Sequence, residues 1–346
     1  MILIENAHIV NEGRIFKGAV LVKNDIIDSI FKGDVPESVR EKAEVVDASD
    51  CWLMPGVIDD HVHFRDPGMT EKADFYTESR AAVAGGVTSV MDMPNTNPAT
   101  ISLASWNEKM AMIGEKSLVN YSCYLGATNN NLEDVLAADP TAVCGIKLFI
   151  GSSTGNLLVD DNNAMTAIFS KVKSLVAVHA EDNAIIAENV ARLKAEHGDN
   201  LPVSLHPVIR SHEACYKSTS WAVDMARKYG TRLHVMHIST EQELALFEDK
   251  PLAEKLITAE TCPQYLVFDA SDFETLGARI KCNPAIKNEA DKKALLKAVS
   301  SNKIDVIGTD HAPHLLSQKE GNALTAVSGM PGIQYSLPLM LSLAKQ

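Results

Sequence analysis

From Val57 onward, short apolar runs rich in β-branched residues alternate with stretches whose apolar positions recur at three and four, the spacing of one helix face. The runs predicted as strands are Val57–His61, Val87–Asp92, Val119–Leu125, Cys144–Phe149, Leu175–His179, Leu233–His237, Leu256–Thr261 and Ile304–Thr309. Between most of them lie predicted helices at Phe75–Ala84, Leu103–Ile113, Ala164–Val172, Glu181–Lys194, Glu213–Lys228, Glu241–Phe247 and Glu289–Val299. Eight strands alternating with helices predict an α/β fold of the (β/α)8 TIM-barrel type, whose chemistry sits at the C-terminal ends of its strands. Ahead of Val57 the rhythm differs: Ile2–Ile4, His8–Val10, Ala19–Val22, Ile26–Ile27, Val45–Val46 and Trp52–Met54 are short β-type runs between charged or Gly/Asn-containing turns. Residues 1–54 are therefore expected to form a small β-sandwich-like domain and residues 55–346 the barrel.

The polar residues that interrupt this pattern fall at the ends of the predicted strands. His61 and His63 close the first, Asn95 follows the second, and Lys147 lies in the fourth; His179 and His237 end the fifth and sixth, Asn283 follows the seventh, and Asp310 ends the eighth. Each alone has an ordinary reading as a core histidine, a turn asparagine or a helix cap. Barrel closure brings all of them to one rim, and that joint placement marks a site.

Composition narrows what the site serves. With 46% apolar and 22% charged residues the chain reads as an ordinary globular protein, and a formal charge of -13 disfavours nucleic acid or an anionic membrane as partner. No apolar run has the length of a membrane span, and Met1–Asn6 lacks a signal-peptide pattern. The six cysteines are scattered without CxxC spacing. A cytoplasmic location and a small-molecule substrate are the expectations, with a homodimer left open.

Strand alternation turns His61 and His63 to one side, a metal-ligand geometry. Four histidines and an aspartate supply donors suited to zinc or a similar divalent ion. Five ligands exceed what one catalytic ion needs, so two metals are expected. Lys147, in GIKLF, sits where a bare ammonium is costly to bury. As a neutral amine it can take up carbon dioxide to form a carbamate, whose two oxygens suit a bridge between metals; a carboxylate from Asp160 or Asp161 is the competing bridge. Arg65, two residues past His63, can grip a carboxylate through two parallel hydrogen bonds.

The motifs HVHFRDPG (His61–Gly68), MPNT (Met93–Thr96), GIKLF (Gly145–Phe149), HAED (His179–Asp182), HIST (His237–Thr240), CNP (Cys282–Pro284) and TDHAPH (Thr309–His314) resemble those of the amidohydrolase superfamily and, within it, the dihydroorotase family. The resemblance spans nearly the whole chain. It implies that His61, His63 and Asp310 bind one metal and His179 and His237 a second, with carboxylated Lys147 between them. Asp161 is kept in reserve because some relatives bridge with aspartate. It also implies that Arg65, Asn95 and His314 bind substrate, with Asn283 at the pocket.

The implied reaction is the reversible cyclisation of N-carbamoyl-L-aspartate to L-dihydroorotate in pyrimidine synthesis. In the hydrolytic direction, hydroxide shared by the metals attacks the ring amide, and Asp310 carries the proton to the departing nitrogen. Two rival expectations are another cyclic amidase, such as a dihydropyrimidinase, hydantoinase or allantoinase, and an inactive homologue kept as an assembly partner. Two departures from the family pattern stand out. Gln334, in GMPGIQ, occupies a place where glutamate is usual. The family pattern also runs on past Gln346 into a last barrel helix and back to the small β domain, so the chain is read as C-terminally incomplete and its N-terminal sheet as short of partner strands.

Overall fold

The computed structural model describes residues 1–151 and 157–345, which divide into two compact units, Met1–Val57 and Ile58–Gln346; Gln346 itself lies outside the described residues. In the first unit, β1 (Ile2–Asn11), β2 (Arg14–Lys23), β3 (Ile26–Phe31), β4 (Glu44–Asp47) and β5 (Trp52–Leu53) form one mixed sheet. Its order is β3-β2-β1-β4, with β5 also on β1. The two runs at Ile2–Ile4 and His8–Val10 join into a single strand. A register shift between Ile4 and Ala7, where Asn6 takes φ 64°, absorbs the extra residue as a bulge. Period-two alternation then gives the sheet two apolar faces, one built on Leu3, Ala19 and Leu21, the other on Ala7, Ile9 and Val20.

The second unit is the barrel. Its strands are β6 (Val57–Val62), β7 (Val87–Asp92), β8 (Asn120–Cys123), β9 (Leu125–Gly126), β10 (Ile146–Ile150), β11 (Val176–Ala180), β12 (Leu233–Val235), β13 (Ile257–Thr261) and β14 (Val306–Ile307). They run in the order β6-β7-β8 and β9-β10-β11-β12-β13-β14. β8 and β9 are one rung interrupted at Tyr124, which pairs its N–H with Asp92 while Leu125 turns to Gly145. Closure between the ends is made by the parallel bridge Val62–His311 and by Asp59, which accepts from Thr309 N at 3.0 Å and Thr309 Oγ1 at 2.6 Å. The α/β barrel predicted from the hydrophobic pattern is the fold observed.

Helices Phe75–Ala84 and Glu289–Val299 coincide with the predicted spans, each opened by a capping box, on Asp74 and Asn288 respectively. The predicted helix at Glu241–Phe247 is a 3₁₀ turn, Gln242–Leu246. The helix predicted from Glu181 begins instead at Asn183, because Asp182 caps it by accepting from Ile185 N. That releases Glu181 from the helix and turns its carboxylate back toward the strand end. No helix among the described residues is long and apolar enough to cross a membrane.

Candidate metal centre

A cavity of about 200 Å³ opens at the C-terminal ends of the strands, lined among others by His61, His63, Arg65, Asn95, Lys147, His179, His237, Asn283, Asp310 and His314. Every site residue expected from the sequence is thus on one wall or another of a single cavity. Three of them carry backbone strain. Arg65 (φ 67°), His237 (φ 42°) and Asp310 (φ 48°) are the described non-glycine residues of the barrel unit with left-handed backbones. Such conformations cost about 1–3 kcal/mol each and concentrate at functional sites. They also explain why β12 and β14 stop short of the predicted strands: the chain leaves the ladder so that His237 and Asp310 can turn inward. Gly68 (φ 84°) lets the loop after Arg65 lie against the backbone of Asn97, where a Cβ would stand 1.7 Å from the Asn97 carbonyl oxygen.

The donors form two groups. In the first, Asp310 Oδ1 lies 3.2 Å from His61 Nε2 and 3.1 Å from His63 Nε2. In the second, His179 Nδ1 faces His237 Nε2 at 2.9 Å. Donors bound tetrahedrally to one zinc at about 2.0–2.1 Å stand about 3.3 Å apart, so the first group already has the spacing and the second needs a few tenths of an ångström. The outward nitrogens are mostly held. His61 Nδ1 meets Glu260 Oε1 at 2.8 Å, His63 Nδ1 meets Asn95 Oδ1 at 2.8 Å, and His179 Nε2 meets Glu181 Oε2 at 2.9 Å. Each such bond fixes the ring so that its inner nitrogen faces the other donors. His237 Nδ1 is buried without a hydrogen-bond partner among the described residues. The donor set therefore fits divalent ions.

Charge is distributed unequally. Burial disfavours a proton on His61, yet Glu260 and Asp310 outweigh it and push the imidazole up to about 10. Burial and neighbouring cationic groups pull His179 and His237 down, the latter strongly. Asp310 is held well below the usual carboxylate range: its burial is overcome by His61 and His63.

Lys147 is 1% exposed and stands in register with Ala177 of the neighbouring strand. Its Nζ meets Met236 Sδ and lies 4.9 Å from the Phe149 ring centre. Burial pulls its pKa down to about 8, against the opposing pull of Glu260 and Asp310. The structure places the alternative bridges elsewhere. Asp161 is an exposed helix cap accepting from Ala164 N at 2.8 Å, and Asp160 accepts from Asn129 at 2.9 Å; neither lines the cavity. Gln334 is likewise exposed and outside it.

Arg65 is buried in the cavity wall, its Nε donating to Pro313 O at 3.0 Å and one Nη 2.9 Å from His314 Nε2. The same His314 nitrogen is 3.0 Å from Ser328 O, so it serves one partner or the other according to its tautomer. Burial and Arg65 pull His314 down to about 3, which leaves it neutral. Lys72, half-buried beside Arg65, also lines the cavity and was not singled out from the sequence. Nor were Glu181 and Glu260, the buried carboxylates behind two of the histidines. The available signal for Glu260 was the one used for Lys147, a charged residue inside an apolar strand.

Comparison with known proteins shows the family and the fold. A dihydro-orotase-like family profile matches residues 51–243. The chain is 32% identical over 325 residues to a dihydroorotase of Methanosphaera stadtmanae, covering 93% of this chain and 73% of that one. It is 30% identical to an allantoinase of Bacillus velezensis, covering 99% and 76%. Among solved structures, an L-hydantoinase (dihydropyrimidinase) from Arthrobacter aurescens superposes with a TM-score of 0.91 at 26% identity, covering 98% of this chain and 76% of that one. Strand-end histidines, a buried lysine and these similarities together make the chain an amidohydrolase belonging to the dihydro-orotase-like family.

Proposed function

We propose that this amidohydrolase is a dihydroorotase, interconverting L-dihydroorotate and N-carbamoyl-L-aspartate. The observation that carries the reading is Arg65, a buried guanidinium in the wall of the cavity that holds the metal-type donors, with no carboxylate ion-paired to it among the described residues. A cation so placed suits a substrate bearing a carboxylate beside the amide to be cleaved. Dihydroorotate has one; dihydrouracil, hydantoin and allantoin do not.

On this reading His61, His63 and Asp310 hold one divalent ion and His179 and His237 another, zinc being the ion such donors favour. Lys147, which lines the same cavity, would as its carbamate supply two further oxygen donors to them. A buried amine near pH 8 is partly neutral at physiological pH, and its nitrogen can add to carbon dioxide with release of one proton. Bound ions of this kind lower the pKa of water toward neutrality and polarise a carbonyl oxygen. The side chains supply the rest. Arg65, with Asn95 and His314 around it, grips the substrate carboxylate and so fixes the ring's orientation. Asn95 has a second task, since its Oδ1 holds His63. Asp310, ionised at neutral pH, takes the proton of the attacking water and delivers it to the ring nitrogen as the C–N bond breaks.

The second reading, another cyclic amidase, is favoured by the allantoinase similarity and the hydantoinase fold match. Assays of L-dihydroorotate, dihydrouracil, hydantoin and allantoin with metal-replete protein separate the two. Turnover of dihydroorotate well above the others is expected, and preference for a substrate without a carboxylate overturns the proposal.

A further inference from the structure

Between β11 and β12 the chain makes a short helix, His206–Ile209, followed by Arg210. Both ends of this segment reach the site from behind. At one end, His206 Nε2 lies 3.0 Å from Cys282 O and 3.2 Å from Asn283 Oδ1. Both neighbours are acceptors, so this nitrogen carries the hydrogen and donates. At the other end, Arg210 Nη1 donates to Glu181 Oε2, the same oxygen that holds His179 Nε2 at 2.9 Å. The two ends are tied to each other by Arg210 N donating to His206 O at 2.9 Å. All three side chains are buried: His206 is 3%, Arg210 9% and Glu181 0% exposed.

The consequences for the cavity differ at the two ends. With Oδ1 of Asn283 occupied by His206, the amide's N–H donors are what it has left for a molecule in the cavity it lines. With Glu181 neutralised by Arg210, the carboxylate can stay buried and charged against His179, which keeps the hydrogen on Nε2 and leaves Nδ1 facing His237. Neither residue touches the cavity itself. Building on the two-ion dihydroorotase reading above, we propose that His206 and Arg210 are positioning residues on one strut. Arg210 acts through Glu181 to set His179 for the second ion, and His206 sets the amide of Asn283 for substrate.

The test is a split between two readouts in the full chain. Apo-protein is titrated with zinc alone, and KM for dihydroorotate is measured at saturating zinc. Arg210→Met is expected to weaken uptake of the second zinc equivalent about 10–100-fold, the usual effect of removing a group that orients a ligand, with KM little changed. His206→Leu is expected to raise KM about tenfold, the scale of one hydrogen bond, with both zinc affinities kept. Arg210→Lys and His206→Gln retain a donor; each is expected to recover part of its own readout, and these variants carry the test if the first pair does not fold. The inference is overturned if zinc affinity and KM change together in either pair, tracking a loss of thermal stability, or if neither changes. Failure of the underlying reading looks different: wild-type protein then takes up fewer than two zinc ions or does not turn over dihydroorotate.

Discussion

The two halves of the centre solve the same problem in opposite ways. Around His61 and His63 the counter-charge stands among the donors, since Asp310 touches both rings directly and Glu260 backs the first. Around His179 and His237 two imidazoles face each other, and the nearest carboxylate, Glu181, lies behind His179 and is already paired with Arg210. The first half can therefore keep a proton where a metal would sit. In the second, burial and neighbouring positive charge pull both imidazoles down, so its rings are neutral. Lys147 lies in the cavity wall with both, its charge reduced by burial.

The sharpest way to break this contrast is Asp310→Asn, which removes the carboxylate from the first half and, with it, the proposed proton carrier. Turnover is expected to fall about a thousandfold or more even at saturating metal. Near-normal steady-state rates would show that Asp310 has neither role. Next in size is Arg65→Met. Loss of a charge-assisted, two-point grip on a carboxylate predicts a rise in KM of roughly a hundredfold with metal content unchanged, read by kinetics alongside metal analysis.

A smaller effect separates the halves by pH. Because the folded-state pKa of His61 is raised to about 10, a metal entering the first half must displace a proton at any lower pH. Its affinity should climb about tenfold per pH unit up to that point. His179 and His237, shifted downward, carry no proton near neutrality, and the second half should be flat there. Zinc titrations across pH in buffer free of carbon dioxide measure both slopes; equal slopes would erase the distinction. The smallest change is expected from Glu260→Gln, which removes one of the two carboxylates holding that proton. The slope of the first half should then level off at a lower pH, nearer the ordinary imidazole range.

What the sequence made legible follows from where information is local. Strand ends are written in the alternation of apolar runs, and barrel closure carries His61, Lys147, His179, His237 and Asp310 to one rim whatever the details of each loop. The groups behind them are not local. Glu260 meets His61 across 199 positions and Arg210 meets Glu181 across 29, through sheet register and a crossover that no spacing in the chain announces. Glu181 is visible in HAED, but helical spacing makes it a helix's first residue, whereas the cap at Asp182 starts that helix at Asn183. The strand lengths failed for a related reason. His237 and Asp310 take left-handed backbones, and an apolar run does not show where the chain must leave the sheet to aim a ligand inward.

The proposed reaction rests on two ions held with a carboxylated Lys147. Native mass measurement with metal analysis tests it in one experiment, on wild type and Lys147→Ala prepared in excess metal and bicarbonate. The account predicts two ions and the added mass of one carbon dioxide on the wild-type chain, and loss of that mass together with at least one ion in the variant. A wild-type chain with an unmodified lysine and a single ion would contradict it.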